Sequence, residues 1–383
     1  MADFPSLGVN AWLTRQCQEM GITKPTEIQQ NCIPQILAGK DCVGCAKTGS
    51  GKTAAFAVPI IQRLSEDPYG IFGLVLTPTR ELAFQIGEQF RALGSSMNLK
   101  YSVVVGGMDM VAQGRELSEK PHIVIATPGR LAGHLYGGGS EISLKKIRFL
   151  VLDEADRLLE KSFEKDLEVI FENIGEKRQT LIFSATLTDT INQLQGDNTN
   201  LYTYRVESDT ATVSQLDQRY LLIPSLVKDA YLIHLLRNFI DTKSVIIFTH
   251  TCRSCQVLAY LLKKLEMKCV ALHSLMPQRR RLASLAQFKT GVAKVLIATD
   301  VASRGLDIPQ VQLVLNYNVP ASPTDYIHRV GRTARAGRGG MSVTLMTQYD
   351  VDRLKAIEEH VKVCNINSLG GTTFGNPIMN ILI

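Results

Sequence analysis

Two short runs carry groups that handle phosphate: Ala46-Lys47-Thr48-Gly49-Ser50-Gly51-Lys52-Thr53, and further on Asp153-Glu154-Ala155-Asp156, which follows the apolar stretch Phe149-Leu150-Val151-Leu152. In the first, Gly49 and Gly51 let the backbone turn so that successive N–H groups point at phosphate oxygens, with the positive end of a helix behind them. Lys52 is then placed to reach the β- and γ-phosphates of a nucleotide, and Thr53, first on the helix, to offer its hydroxyl to Mg²⁺. In the second, Asp153 and Glu154 stand at the C-terminal end of a strand, where ligands of open α/β sheets bind. Asp153 is suited to hold hydrated Mg²⁺, and Glu154 to orient and deprotonate an attacking water, because phosphoryl transfer needs positioning and charge neutralisation more than covalent help. Each run alone has a bland reading, a strand-to-helix turn for the first and a solvated helix start for the second. Ala46 also departs from the strict spelling of the loop, which has Gly there.

Other groups have two readings each. Ser184-Ala185-Thr186 follows an apolar strand, and taken alone its hydroxyls best fit a cap for a helix beginning near Asp189. Thr26-Glu27-Ile28-Gln29 fits a capping box, with Gln29 reaching back to the helix start. In His328 to Arg335, H-R-V-G-R-T-A-R, the spacing of Arg332 and Arg335 turns both guanidinia to one side of a helical turn. That is a nucleic-acid patch, a solvated basic face, or the arginine finger that the ATP site lacks, a device worth roughly 10³–10⁵ in rate where used. The C-x-x-C pairs Cys42/Cys45 and Cys252/Cys255 could in principle close a zinc site, but the first pair sits on a strand whose residues three apart face opposite ways, so buried small hydrophobes are the better reading.

The elements that must hold these groups alternate. Strands are expected at Asp41–Cys45, Gly73–Thr77, Tyr101–Val105, Ile123–Ala126, Phe149–Leu152 and Thr180–Ser184, with helices at Thr26–Leu37 and Thr79–Leu93, the pattern of a parallel sheet covered by helices. From Asp197 to Gln218 the sequence turns to Asn, Thr, Ser and Asp, with one short strand at Leu201–Val206, and reads as a flexible linker. Strands resume at Tyr220–Ile223, Val245–Thr249, Cys269–Leu272, Lys294–Ala298, Leu313–Tyr317 and Ser342–Met346, with a helix over Asp350–Lys362. The expected domains are therefore 1–207, a linker at 208–218, and a second α/β domain at 219–362. Residues 363–383 carry no charged side chain and receive no function.

A length of 383 residues suits two domains, and 45% apolar with 20% charged residues suits a soluble globular chain with a sizeable core. The net charge of +6 is compatible with a polyanionic partner without requiring one. Met1-Ala2-Asp3-Phe4-Pro5 has no secretory pattern and no run reaches membrane-span length, so an intracellular protein with eight free cysteines and no membrane partner is expected.

In sequence order the chain contains G-I-T-K-P-T-E-I-Q, A-K-T-G-S-G-K-T, P-T-R-E-L-A, Gly106-Gly107, T-P-G-R, D-E-A-D, S-A-T, A-T-D-V-A-S-R-G-L-D and H-R-V-G-R-T-A-R. From about Phe4 to about Arg338 it resembles the DEAD-box ATP-dependent RNA helicases, and L-T-P-T-R-E-L-A-F-Q-I and Q-T-L-I-F-S-A-T-L-T are most like members working in nucleolar ribosome assembly. The resemblance implies two tandem RecA-like domains, ATP and Mg²⁺ as cofactors, and RNA-stimulated ATP hydrolysis coupled to local duplex unwinding or RNA–protein remodelling. A clamp with little turnover is the alternative, and a DNA translocase is disfavoured. It implies a nuclear, nucleolar monomer with ribosome-assembly partners.

By the same resemblance Gln29 reads the adenine edge while Phe4 stacks on it, Lys47, Thr48 and Ser50 join the phosphate loop, and Asp307 binds the ribose. Ser184 and Thr186 couple the ATP site to RNA through Asp156, and Arg332 and Arg335 meet the γ-phosphate across a cleft. RNA, single-stranded or a short duplex, is contacted by Pro78, Thr79, Arg80, Gly107, Thr127, Pro128, Gly129 and Arg130 in the first domain. In the second the contacts are Thr249, Gln278, Arg281, Thr299 and Gly305. Small residues and backbone amides dominate that set, which suits a phosphate-tracking surface with weak sequence preference.

Overall fold

A computed structural model of the chain describes residues 2–46, 49–136, 142–185, 200–206, 216–239, 244–300, 308, 311–333, 339–361 and 367–368. The chain divides between residues 207 and 208 into two compact units. The first contains, in order, α1 (Ala11–Glu19), α2 (Glu27–Leu37), β1 (Asp41–Cys45), α3 (Lys52–Glu66), β2 (Gly73–Leu76), α4 (Arg80–Leu93), β3 (Tyr101–Val104) and α5 (Met110–Ser118). There follow β4 (Ile123–Ala126), α6 (Pro128–Tyr136), β5 (Phe149–Asp153), α7 (Ala155–Leu158), α8 (Glu164–Asn173), β6 (Gln179–Ser184) and β7 (Leu201–Arg205). Its seven strands lie in the order β3-β4-β2-β5-β6-β1-β7, every pairing parallel.

The near-continuous apolar runs of these strands follow from burial on both faces. Alternate residues serve different cores. Cys42, Val75, Ile125, Val151 and Phe183 pack with α2, α3 and α4, whereas Val43, Leu76, Val124, Leu150 and Ile182 pack on the opposite face with α6 and α8. Gly44 is needed in β1 because a Cβ there would lie 2.5 Å from the Phe183 ring.

The second unit contains β8 (Leu216–Leu222), α9 (Lys228–Phe239), β9 (Val245–Thr249), α10 (Cys252–Lys264), β10 (Cys269–Leu272) and α11 (Gln278–Lys289). These are followed by β11 (Val295–Thr299), β12 (Leu313–Asn316), α12 (Pro323–Val330), β13 (Gly340–Met346), α13 (Val351–Val361) and β14 (Asn367–Ser368). Its sheet, again all parallel, has the order β10-β11-β9-β12-β13-β8-β14.

One boundary needs correction. Leu216, Asp217 and Gln218 belong to β8, not to the linker, because their partners come from distant sequence: they pair with Gly340, Met341 and Ser342 of β13, and Gln218 is buried and accepts the Tyr326 hydroxyl at 2.7 Å. The uncharged terminal segment also supplies β14, which pairs with Arg219 and Tyr220 on the otherwise open side of β8. Elsewhere the ends shift slightly: Thr26 and Thr79 are N-caps, Asp153 and Thr299 join their strands, and Thr77, Val105 and Tyr317 leave theirs. Among the described residues no helix is long and apolar enough to cross a membrane. Seven cysteines are free thiols there, with Cys42, Cys45 and Cys255 buried and Cys252 half-buried, and no group of three or more His, Cys, Asp or Glu could hold a metal ion.

Candidate nucleotide and nucleic-acid site

Every described candidate of the first unit except Phe4 and Gln29 lies just beyond the carboxyl ends of its strands or in the helix turns that follow. Strand order sorts them. The segments expected to touch RNA follow β2, β3 and β4, while the phosphate loop follows β1, the D-E-A-D run β5 and Ser184 ends β6. Neighbouring strands are about 4.8 Å apart, so the two sets meet where β2 borders β5.

The phosphate loop is held from below by three contacts. The Ala46 N–H donates to Ser184 O at 3.1 Å, Lys52 Nζ donates to Ala46 O at 2.6 Å, and the Gln29 amide donates to Gly51 O at 3.0 Å. Gln29 also accepts the Thr26 N–H at 3.0 Å, which completes the capping box expected of it. One buried side chain thus ties the start of α2 to the loop. Gly51 adopts φ +91°, and a Cβ there would collide with the Gln29 amide, so only glycine fits. It is the N-cap of α3, which begins at Lys52, one residue before the Thr53 expected. The Ser50 hydroxyl is buried with no hydrogen-bond partner among the described residues. Phe4 is 1% exposed and packed into the core, so its ring has no face open for stacking in this arrangement. Lys47, Thr48, Thr186, Gly305, Asp307 and Arg335 lie outside the described residues.

Asp153 is the last residue of β5, paired with Phe183, and its carboxylate accepts the Glu154 N–H at 3.1 Å. Glu154 then takes the left-handed conformation, φ 54° and ψ 48°, before α7 begins. A side chain there costs roughly 1–2 kcal/mol, and such backbone strain clusters at functional sites. The Asp156 N–H donates to Ser184 Oγ at 3.4 Å, so Ser184 touches both the loop strand and the acidic run.

Burial, reinforced by Glu154, pushes the Asp153 carboxyl up to about 7 against the opposing pull of Lys52. Burial likewise pulls Lys52 down, although Asp153, Glu154 and Asp156 push it back. A buried carboxylate this reluctant to ionise, with Lys52 of the phosphate loop near enough to act on it, fits the oxygen donor expected of a site for Mg²⁺ and phosphate. Because the folded protein holds this proton well above the pH at which the unfolded chain releases it, the metal-free fold loses stability as pH rises from about 4 to about 7. The Asp153→Asn variant should lack that decline, on the order of a few kcal/mol at most. Denaturant melts in chelator at pH 5 and pH 7.5 measure it, and parallel pH profiles for both proteins would overturn the assignment.

In the RNA-expected set, Thr79 caps α4 by accepting the Leu82 N–H at 3.4 Å. The Arg80 guanidinium lies where a Cβ on Gly106 would come within 3.0 Å of it, and Gly107 turns with φ +80°. Arg130 donates to Met108 O at 3.0 Å and to Gln113 Oε1 at 3.3 Å, which joins the loop after β3 to the start of α6. Gly129 approaches Asp166, whose carboxylate a Cβ would meet at 3.1 Å. Thr127 is buried and Pro78 half-buried, Pro78 leading into the α4 cap and Pro128 opening α6.

The second sheet repeats the sorting. Thr249, Thr299, Gln278 and Arg281 gather around β9, β11 and β10, whereas Arg332 follows α12, the connection from β12 to β13. Sequence reasoning missed the group beneath Arg332. Arg329, 1% exposed, is bidentate to Asp300 at 2.6 and 2.7 Å, donates to Asn316 at 3.2 Å and to Asn318 O at 2.7 Å, and stacks over Phe248 at 5.1 Å. Its spacing with Tyr326 and Val330 on the buried face of α12 was the available signal. Arg329→Met should cost the second unit about 3–5 kcal/mol, since it removes a buried bidentate pair with Asp300 together with the contacts to Asn316, Asn318 O and the Phe248 ring. Equilibrium denaturant unfolding tests this, and a loss below about 1 kcal/mol would reduce the node to a surface ion pair.

Residues 26–194 match the DEAD/DEAH box helicase family model, and residues 227–337 match the helicase conserved C-terminal domain. The chain is 60% identical over 369 residues to the human probable ATP-dependent RNA helicase DDX49, covering 94% of this chain and 76% of that one. It is 52% identical to the ATP-dependent RNA helicase dbp8 of Schizosaccharomyces pombe, covering 94% and 82%. Among solved structures it is similar to S. cerevisiae Dbp5 bound to RNA and ADP BeF3, with TM-score 0.86, 27% identity and 96% of each chain covered. It is also similar to the DEAD-box helicase Mss116 bound to ssRNA and UDP-BeF, with TM-score 0.88, 28% identity and 98% of this chain and 81% of that one covered.

Proposed function

This chain belongs to the DEAD/DEAH box helicase family and is an ATP-dependent RNA helicase, and we propose that its carboxyl-edge residues divide the work of RNA-stimulated ATP hydrolysis as their strand order divides them. The observation that carries this reading is the Ser184 contact to Asp156, on the ATP side of an edge whose other half holds the RNA-expected loops. Lys52 and the loop amides from Ala46 to Thr53 bind the phosphates. Thr53, and Asp153 through water, hold Mg²⁺, which when bound neutralises phosphate oxygens. Glu154 positions and deprotonates the attacking water.

The Gln29 amide, now donating to Gly51 O, is close enough to the loop to read the adenine edge, with Asp307 on the ribose. Arg332 and Arg335 supply charge to the γ-phosphate. Single-stranded RNA lies along Pro78, Thr79, Arg80, Gly107 and Thr127 to Arg130, and along Thr249, Gln278, Arg281, Thr299 and Gly305, held by its backbone. ATP and RNA each favour one bound arrangement, so each raises the affinity for the other, and a bent strand no longer fits a duplex. On the closeness of its motifs to the ribosome-assembly members, the chain acts on ribosomal RNA in the nucleolus as a monomer with assembly partners. The test is ATP turnover with and without RNA for the natural chain and for Glu154→Gln, and equal turnover in the two would leave only an RNA clamp.

A further inference from the structure

The basic excess of the chain is concentrated in one stretch. Residues 251–299 hold nine Lys and Arg against one acidic residue, Glu266, a local charge of +8 where the whole chain carries +6. The remainder is therefore slightly acidic, and the modest overall charge conceals a strongly polarised second unit.

The fold draws these residues onto one edge. β10 is the outermost strand, and α10 (Cys252–Lys264) and α11 (Gln278–Lys289) both pack against it. Cys252 at the start of α10 lies with its Sγ 3.3 Å from Ser274 Oγ in the loop that leads into α11, and the segments after the two helices are joined by the Lys294 N–H donating to Lys268 O at 3.1 Å. Both helices thus run the same way, from the carboxyl edge that holds Thr249 and Thr299 to the opposite edge of the sheet. Neither contains an Asp or Glu. Arg253, Arg279 and Arg280 are exposed where the helices start, and Lys263, Lys264, Lys268, Lys289 and Lys294 are exposed where they end. Between them Tyr260 is 62% exposed, with Lys264 Nζ 5.5 Å from its ring.

We infer that this edge is a second RNA-binding track, which carries the strand flanking the segment held at the carboxyl edge and extends the backbone contact along the length of α11, about 18 Å. The inference rests on the RNA-helicase reading for the identity of the polyanion. The five lysines at the far end bind phosphates by charge, with no base readout, and Tyr260 offers a face for stacking. A solvated basic face would bear no relation to strand length, whereas a track must.

The experiment replaces Lys263, Lys264, Lys268, Lys289 and Lys294 together with glutamine, which keeps helix propensity and touches no residue assigned to the ATP or carboxyl-edge sites. Affinity is measured across a salt series for a strand of about 8 nucleotides and one of about 25. The natural chain should bind the long strand roughly tenfold tighter or more at low salt, and the variant should lose that advantage, its salt slope falling by up to about 3.5 at roughly 0.7 per neutralised charge. Short-strand affinity and short-strand-stimulated ATP turnover should be unchanged. Equal slopes and long-strand affinities in variant and natural chain would overturn the track. Failure of any RNA to raise turnover in the natural chain would count against the helicase reading instead, and the binding data decide the track in either case.

Discussion

Replacing Arg332 with lysine should lower RNA-stimulated ATP turnover by roughly 10³–10⁵ while leaving the second unit folded. The residue stands in a turn fixed on three sides: its N–H donates to Arg329 O at 3.0 Å, its carbonyl accepts the Val311 N–H at 3.1 Å, and the following Thr333 hydroxyl donates to Val311 O at 2.6 Å. These contacts are made by the backbone and by Thr333, so they persist when the Arg332 side chain is exchanged for one of similar length and charge. Lysine keeps the positive charge, and the planar two-pronged donor is lost. A large fall in turnover with nucleotide affinity and unfolding midpoint nearly unchanged would assign the guanidinium to the transition state. Turnover within about threefold of the natural chain, under 1 kcal/mol of barrier, would remove Arg332 from the chemistry.

The Glu154→Gln variant should lose roughly 10²–10⁴ in turnover, the usual worth of a general base. The substitution is nearly isosteric and keeps the left-handed backbone at φ 54°, which glutamine tolerates no worse than glutamate. ATP and RNA binding should therefore persist, and RNA should leave more slowly in the presence of ATP because the hydrolysis step that ends the bound state is blocked. Binding by nucleotide and RNA titration, beside single-turnover hydrolysis, separates the two effects. If binding fell in step with turnover, the role of Glu154 would be to support the fold of the loop.

Much of the architecture was legible because the signals are local. Apolar runs ending in Gly, Thr or Asp marked the parallel strands, and the helix starts expected at Thr26, from its capping box, and at Thr79, from apolar periodicity, fall within a residue of those observed. The capping box at Gln29 was legible for the same reason, but the second half of that side chain's work was not, since Gly51 reaches it only through the packing of α2 against α3. β8 was read as linker for the first three of its residues because its partners, Tyr326 on α12 and the edge of β13, come from over a hundred positions away.

The sequence by itself determined the phosphate loop, the carboxylates and the family they belong to, because each is a contiguous run whose residue types and spacing already specify backbone shape and charge. Only the tertiary structure decided that the segments proposed for ATP and those proposed for RNA sort to opposite halves of each sheet edge, that Arg329 lies buried on Asp300, and that the positive charge collects along β10. Those are consequences of strand order. Parallel strands are joined by crossovers that make neighbours of residues far apart in the chain, and no local spacing records which strands will meet.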